Sequence, residues 1–391
     1  MHLMLRRLLP LPLLFACTTS TPPGWGDPAF EEEAHEAVEG YVHLVIKSYA
    51  ATVEAAEALD VAVDAFLAAP SDATLEAARQ AWLTARDIYG QTEVYRFYGG
   101  PIDAEPDGLE GRINSWPMDE AYVDYVDGMP NVGVINNPTD YPDITRELLI
   151  DLNGAGGEDD ISTGWHAIEF LLWGQDLRDD GAGQRPFTDY VDGEGGTAAN
   201  QRRRADYLAI VTDLLVEDLK AVAAAWDEGA AYHEEFEHDL GPHKALENVL
   251  LGMGSLAGAE LSGERMGVAY DTREQEDEHS CFSDNTHNDL RTNALGLQNA
   301  YLSRWGGAEE TSVSTLVAAL DPALDQAMRE RLQAAVDAID AIPPPFDSAI
   351  KAPDGSPERQ SVADAIAALK ELTATIVEVA TLLDISLNLE E

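Results

Sequence analysis

Apolar residues recur at intervals of three and four along nearly the whole chain, the spacing that gathers them on one side of an α-helix. Between residues 28 and 69 the stripe runs through Val38, Tyr41, Val45, Tyr49, Val53, Ala56, Leu59, Val63 and Phe66. Pro70-Ser71 breaks it, and residues 72–98 resume it with Leu75, Ala78, Trp82, Ala85 and Tyr89 before Gly99-Gly100-Pro101 ends the run. The same reading predicts helices over residues 141–153, 162–173, 199–228, 243–264, 288–304, 312–342 and 357–387. No stretch keeps the period-two alternation of a strand. The pattern therefore predicts an all-α protein of two helical, four-helix-bundle-like domains. The short polar segment 229–241 sets the boundary, with a first bundle over residues 28–232 and a second over 233–391.

A long Gly-, Pro- and Asp-rich loop, residues 99–137, interrupts the first bundle, with one short helix predicted near residues 118–126. Loops of this length in compact domains are usually functional or disordered. Arg112, Trp116, Tyr122 and Tyr125 argue for an ordered one.

The N-terminal pattern is different. Arg6 and Arg7 precede a short apolar run that ends at Cys17, too short to span a bilayer, so residues 1–16 are expected to be a signal peptide. Leu14-Phe15-Ala16-Cys17 has the form of a lipobox, in which Cys17 is acylated. The alternative is an ordinary cleaved signal with an incidental cysteine. Residues 17–27, rich in Thr and Pro, then form a lipid-anchored tether. The expected location is the cell envelope, with membrane contact through the lipid only. Cys281 would then be the only remaining thiol, which excludes an intramolecular disulfide. The chain carries 72 acidic against 24 basic side chains, net −48. Such a surface repels nucleic acid; solvation in a salty habitat explains it, and loose attraction of cations is the alternative.

Three segments are unlike helical filler. In Ser162-Thr163-Gly164-Trp165-His166-Ala167-Ile168-Glu169, Ser162 is a good N-cap and Gly164 leaves room for close approach. His166 and Glu169, three apart, project from one helical face and can share a metal; a buried His–Glu hydrogen bond explains the spacing equally well. In the second segment, Glu260 and Glu264 lie one α-helical turn apart, and Arg265 is the alternative partner to a metal. The third, Gln275 to His287, packs carboxylates, His279, His287 and Cys281 between helices; Ser283, Asp284 and Asn285 are cap residues for the next helix.

These segments resemble the imelysin-like family. Gly164-x-His166-x-x-Glu169, followed by Phe170-Leu171-Leu172-Trp173-Gly174-Gln175-Asp176, looks like its G-x-H-x-x-E motif in context. Gly111-Arg112-Ile113-Asn114-Ser115-Trp116-Pro117 is similar to its long-loop motif, and Ser262-Gly263-Glu264-Arg265-Met266 and residues 275–287 to its second-half motifs. Trp165 stands where Tyr is more usual. The resemblance covers roughly residues 35–385 and is nearest to the iron-regulated, outer-membrane-associated members. It implies two helical bundles with the site where they meet.

The resemblance also bears on function. The family was named for metallopeptidases, yet H-E-x-x-H is absent; in His233-Glu234-Glu235-Phe236-Glu237-His238 the second His falls one residue too late. An exported lipoprotein that binds metal in iron acquisition is the favoured reading, anchored at the outer membrane or the periplasmic face. Its expected metal is a divalent transition metal, iron or zinc, and an iron-transport or haem-containing protein is the expected partner. A zinc metallopeptidase is the alternative, and a surface partner-binding protein with a structural metal is a third. The expected metal ligands are His166, Glu169 and Glu264 with Glu93 or His279. Glu93 is equally explained by a salt bridge to Arg96. Gly164, Arg112, Trp116, Trp173, Arg265, Glu260 and Gln275 are expected around the site.

Overall fold

The computed structural model describes residues 24–389 except residues 107 and 179. The signal peptide, Cys17 and the tether up to residue 23 lie outside the described residues. Asp27 caps the first helix, Pro28–Ala68, by accepting from the Ala29 N–H at 3.1 Å. The chain turns at Pro70 and re-enters a helix, Asp72–Tyr89, through a Ser71–Thr74 capping box. This pair packs side by side, and the Gln201–Ala225 helix lies against the first.

The second helix does not run on to residue 98. It tightens into a 3₁₀ turn, Gly90–Tyr95, because the Thr286–Leu302 helix presses against it. A Cβ added to Gly296 would sit 2.7 Å from the Gln91 carbonyl oxygen, and one added to Gly90 would sit 2.2 Å from Thr292 Oγ1. A glycine on each side of this contact lets the two elements approach this closely.

In the second half, Pro242–Ser255 continues without a break as a π-helical segment, Leu256–Val268, and then as Ala269–Thr272. The single helix expected over residues 312–342 is two, Val313–Leu320 and Pro322–Asp340. Asp321 ends the first and caps the second, accepting from Ala323 and Leu324 N–H at 3.0 and 3.1 Å, while Pro322 lacks an N–H to donate. The last helix, Pro357–Leu382, packs on Pro322–Asp340 and on the π segment. Among the described residues the only sheet is a hairpin, Arg304–Trp305 with Ala308–Glu309, turned by Gly306 and Gly307 at φ 62° and 86°.

One apolar cluster runs through both halves, from Phe30 and Trp82 through Trp165 and Leu215 to Leu297, Leu369 and Ile376. The first helix also contacts Pro242–Ser255 and Val313–Leu320, so the halves share a core rather than meeting at a thin seam. No helix among the described residues is long and apolar enough to cross a membrane.

Candidate functional site

The Gly164–Trp173 helix is buried along its whole length. It begins hard against the loop turn Glu110–Ile113: Gly164 has φ 84°, and a Cβ there would lie 2.5 Å from the Ile113 carbonyl oxygen. Thr163, not Ser162, occupies the N-cap position, and neither side chain caps the helix. The Ser162 hydroxyl donates to Leu149 O at 2.7 Å and that of Thr163 to Arg112 O at 3.0 Å. Both hydroxyls tie the helix start to neighbouring segments instead.

His166 and Glu169 are 1% and 0% exposed and are bonded to each other, Nδ1 to Oε2 at 3.0 Å. The other carboxyl oxygen accepts from the backbone N–H and the hydroxyl of Ser283, at 2.9 and 2.7 Å. Ser283 therefore faces Glu169 rather than capping the Thr286–Leu302 helix. The His166 ring lies against Trp116, centroids 4.7 Å apart, and against His279 at 5.0 Å. Its Nε2 is buried and has no hydrogen-bond partner. Burial, then the nearby Arg86 and His279, hold the His166 pKa well below its ordinary value. Burial pushes the Glu169 carboxyl up to about 8, against the Ser283 hydrogen bonds that lower it. Near neutral pH the pair is thus an uncharged imidazole and an uncharged carboxylic acid.

A second histidine–carboxylate pair stands beside it. His279 Nδ1 lies 3.2 Å from Asp289 Oδ2, and Arg86 grips both Asp289 oxygens, each at 3.2 Å. Burial, then Arg265, bring the His279 pKa down to about 4. Burial would raise the Asp289 carboxyl, but Arg86 and His279 hold it well below the usual range. The network continues: Arg86 donates to Asn114 Oδ1, and Asn114 Nδ2 donates to Glu93 Oε1 at 2.7 Å. Arg265 donates to Glu93 Oε2 at 2.5 Å and to Asn293 Oδ1 at 2.6 Å. This chain joins the first-half helix Asp72–Tyr89, the long loop, the π segment and the Thr286–Leu302 helix. A cavity of about 330 Å³ opens beside it, lined by Asn114, Trp116, Glu264, Arg265 and His279 among others. His166 lies behind Trp116 and His279.

The expected site residues fall into three groups. His166, Glu169, His279, Trp116 and Gly164 are together. Glu93, Arg265 and Glu260 form a neighbouring ionic cluster in which Glu93 is engaged by Arg265, Asn114 and Arg96, the last at 3.5 Å. Glu260 and Glu264 both line this cavity, but only Glu260 joins the ionic cluster. In the π segment Glu260 pairs with Arg265, five residues on, at 3.1 Å, and Glu264 is exposed at the cavity. The remaining residues point elsewhere: Arg112 pairs with Asp218 at 2.5 Å, Trp173 packs on Trp82 and Arg79, and Gln275 bonds Asp176 and Lys351. Among the described residues, no three of the five expected ligands bring donor atoms within 4.8 Å of one another.

Sequence reasoning missed Arg86 and Asp289. Both left a signal. Arg86 sits at a stripe position between Trp82 and Tyr89, and Asp289 at the i−4 position to Asn293 on a helix whose polar residues turn inward. Oppositely charged residues on two buried stripes are candidates for one ion pair.

The fold and site define an all-helical protein that closes both halves of its chain over a buried pair of histidine–carboxylate dyads. The chain belongs to the imelysin family, whose model matches residues 45–376. It is 25% identical over 361 residues to iron-regulated protein A of Synechococcus elongatus, covering 86% of this chain and 84% of that protein. Its fold is similar to a crystal structure assigned as an iron-regulated protein A precursor from Parabacteroides distasonis, with TM-score 0.72, 20% identity, and 93% and 97% of the two chains covered. It is also similar to an imelysin-like protein from Psychrobacter arcticum, with TM-score 0.61, 15% identity, and 92% and 98% covered.

Proposed function

We propose that this chain binds a transition-metal ion, iron or zinc, through His166 and acts in iron acquisition at the cell envelope. One observation carries the reading: His166 Nε2 is fully buried and lacks any partner. An orphaned polar atom in a core costs about 1–3 kcal/mol, and an ion is a common reason for keeping one. The donor chemistry suits that ion. His166 and His279 are both neutral near pH 7, and each has Nδ1 against a carboxyl group, Glu169 or Asp289. Asp289 already stands behind Nδ1 of His279 as a carboxylate, and loss of the Glu169 proton on metal binding would put one behind Nδ1 of His166. A carboxylate there fixes the tautomer and orientation that leave Nε2 to a metal. In this reading Glu169 orients His166 instead of ligating beside it, and His279 is the second imidazole. A bound metal supplies Lewis acidity or a redox centre; the chain's own residues hold it, exclude water with Trp116, and take up the proton change at His166–Glu169. The iron-regulated names of the relatives agree with iron as the cargo.

The test is metal binding by the metal-free chain, with Fe²⁺ under anaerobic conditions and with Zn²⁺. His166→Ala should abolish the site, and Glu169→Gln should weaken it roughly 10- to 100-fold, the usual effect of losing an orienting carboxylate. Circular dichroism should show helicity unchanged in both. Unaltered iron and zinc affinity in both variants would leave a structural hydrogen-bonded pair. Hydrolysis of an unfolded protein, lost in His166→Ala, would favour the peptidase reading instead.

A further inference from the structure

We propose that His233, Glu237 and His238 form a second metal site, separate from His166 and built by a π-helical turn. On an α-helix the fifth residue lies about 140° round the axis, so His233 and His238 would diverge. Here the helical turn Ala231–Glu234 passes into a π-helical one, Glu235–Asp239, and the Leu240 N–H donates to Glu235 O, five residues back, at 2.9 Å. Residues five apart then stand about one turn above each other, and π turns are frequent at functional sites. The extra residue that spoils H-E-x-x-H in the sequence is absorbed by the wider turn. Phe236 anchors the opposite side, fully buried against Tyr41, Trp226 and Tyr232.

The donor atoms are placed for an ion. His233 Nε2 lies 3.3 Å from Glu237 Oε2, and His238 Nε2 lies 3.6 Å from Glu237 Oε1. Two donors bound at about 2 Å to a tetrahedral ion are separated by about 3.3 Å. One donor atom from each of the three residues falls within 4.8 Å of the others, which among the described residues happens nowhere else. A second observation points the same way. His233 Nδ1 lies 3.0 Å from the Trp226 carbonyl oxygen, which can only accept, so Nδ1 carries a proton. On a singly protonated ring Nε2 is then a lone pair on a buried side chain, 3.3 Å from a carboxylate oxygen of Glu237. A cation between them satisfies both, and the Trp226 carbonyl is the backbone support that metal-bound histidines commonly have. Burial is graded: His233 is buried, Glu237 half-buried and His238 exposed. The buried pair is preformed, and the exposed ring closes on the ion from solvent. Two imidazoles and one carboxylate suit zinc or ferrous iron and leave a coordination position open. The strongly acidic surface raises the local concentration of such cations.

The test uses the full chain without a polyhistidine tag, stripped of metal and titrated with Zn²⁺ by calorimetry. The background is His166→Ala, which removes the site proposed above. One zinc should still bind in that background, and adding either His238→Ala or Glu237→Gln should weaken it at least 10-fold with helicity unchanged. Co²⁺ in place of zinc should give the intense visible bands of a tetrahedral ion, lost with His238→Ala. Because His238 is exposed, its removal does not endanger folding. An ordinary imidazolium–carboxylate pair predicts no zinc in the His166→Ala background, or zinc indifferent to His238→Ala; either result overturns the proposal.

Discussion

Asp289 serves two buried cations-in-waiting at once, accepting from Arg86 through both oxygens while holding His279 Nδ1. Removing one partner of a buried pair leaves the other charge without compensation, which costs about 3–5 kcal/mol. Asp289→Ala is therefore expected to lose about that much stability in urea unfolding and to free His279 from its fixed orientation. A loss under ~1 kcal/mol would mean that water reaches Arg86. Glu93 sits in the same balance from the acidic side: burial would raise its carboxyl, but Arg265, Arg96 and Arg86 hold it at about 2. Gly164 shows the steric counterpart, since at φ 84° and 2.5 Å from a carbonyl oxygen no side chain fits.

Two π-helical segments decide which side chains meet. In Leu256–Val268 the wider turn pairs Glu260 with Arg265 and turns Glu264 out; in Glu235–Asp239 it aligns His233 with His238. Arg265 is the strut of the first, reaching Glu93, Glu260 and Asn293 from a buried position. Arg265→Ala should cost about 3–5 kcal/mol, whereas Glu264→Ala, at an exposed position, should stay within about 0.5 kcal/mol of the parent. Chemical denaturation of the two variants checks the order. Equal losses would put Glu264 inside the ionic cluster, as an α-helical register requires.

At the scale of the molecule, the charge of −48 coexists with several carboxyls whose pKa values are raised, mainly by burial. Asp87 and Asp176 are pushed up to about 6, and Glu120 and Asp284 to about 7. Together with Glu169 these carboxyls hold protons that the unfolded chain has lost between about pH 4 and 7. They outnumber His166, His279 and His287, which are held below their ordinary range and work the other way, so stability falls as pH rises through that window. Glu93 has the opposite sign: its contribution is present above about pH 4 and is lost as pH falls toward 2. The thermal midpoint is expected to rise from pH 7.5 to a maximum near pH 5 and to drop below pH 4. Scanning calorimetry across that range checks it, and a midpoint that climbs steadily from pH 5 to 8 would contradict the burial of those carboxyls.

The three- and four-residue stripes were enough to place most of the helices, though not the ends of those at Tyr89 and Leu320, because each stripe must be covered whatever covers it. Pro28–Ala68, Gly164–Trp173 and Gln201–Ala225 begin and end within two or three residues of where Pro, Gly and the last apolar position put them. His166 and Glu169 were legible for the same reason, as a local pair whose spacing fixes a common face. What the sequence could not carry was anything that depended on turn width or on a distant partner. The π segments use the same residue types as α-helix and differ only in which carbonyl each N–H finds, which the apolar spacing does not encode. Ser283 behind Glu169, Asp289 between Arg86 and His279, and Glu93 under Arg265 are contacts between residues 114, 203, 10 and 172 positions apart. Only the closing of both halves around one core brings such groups within hydrogen-bond reach, and only that burial makes their charges interact strongly.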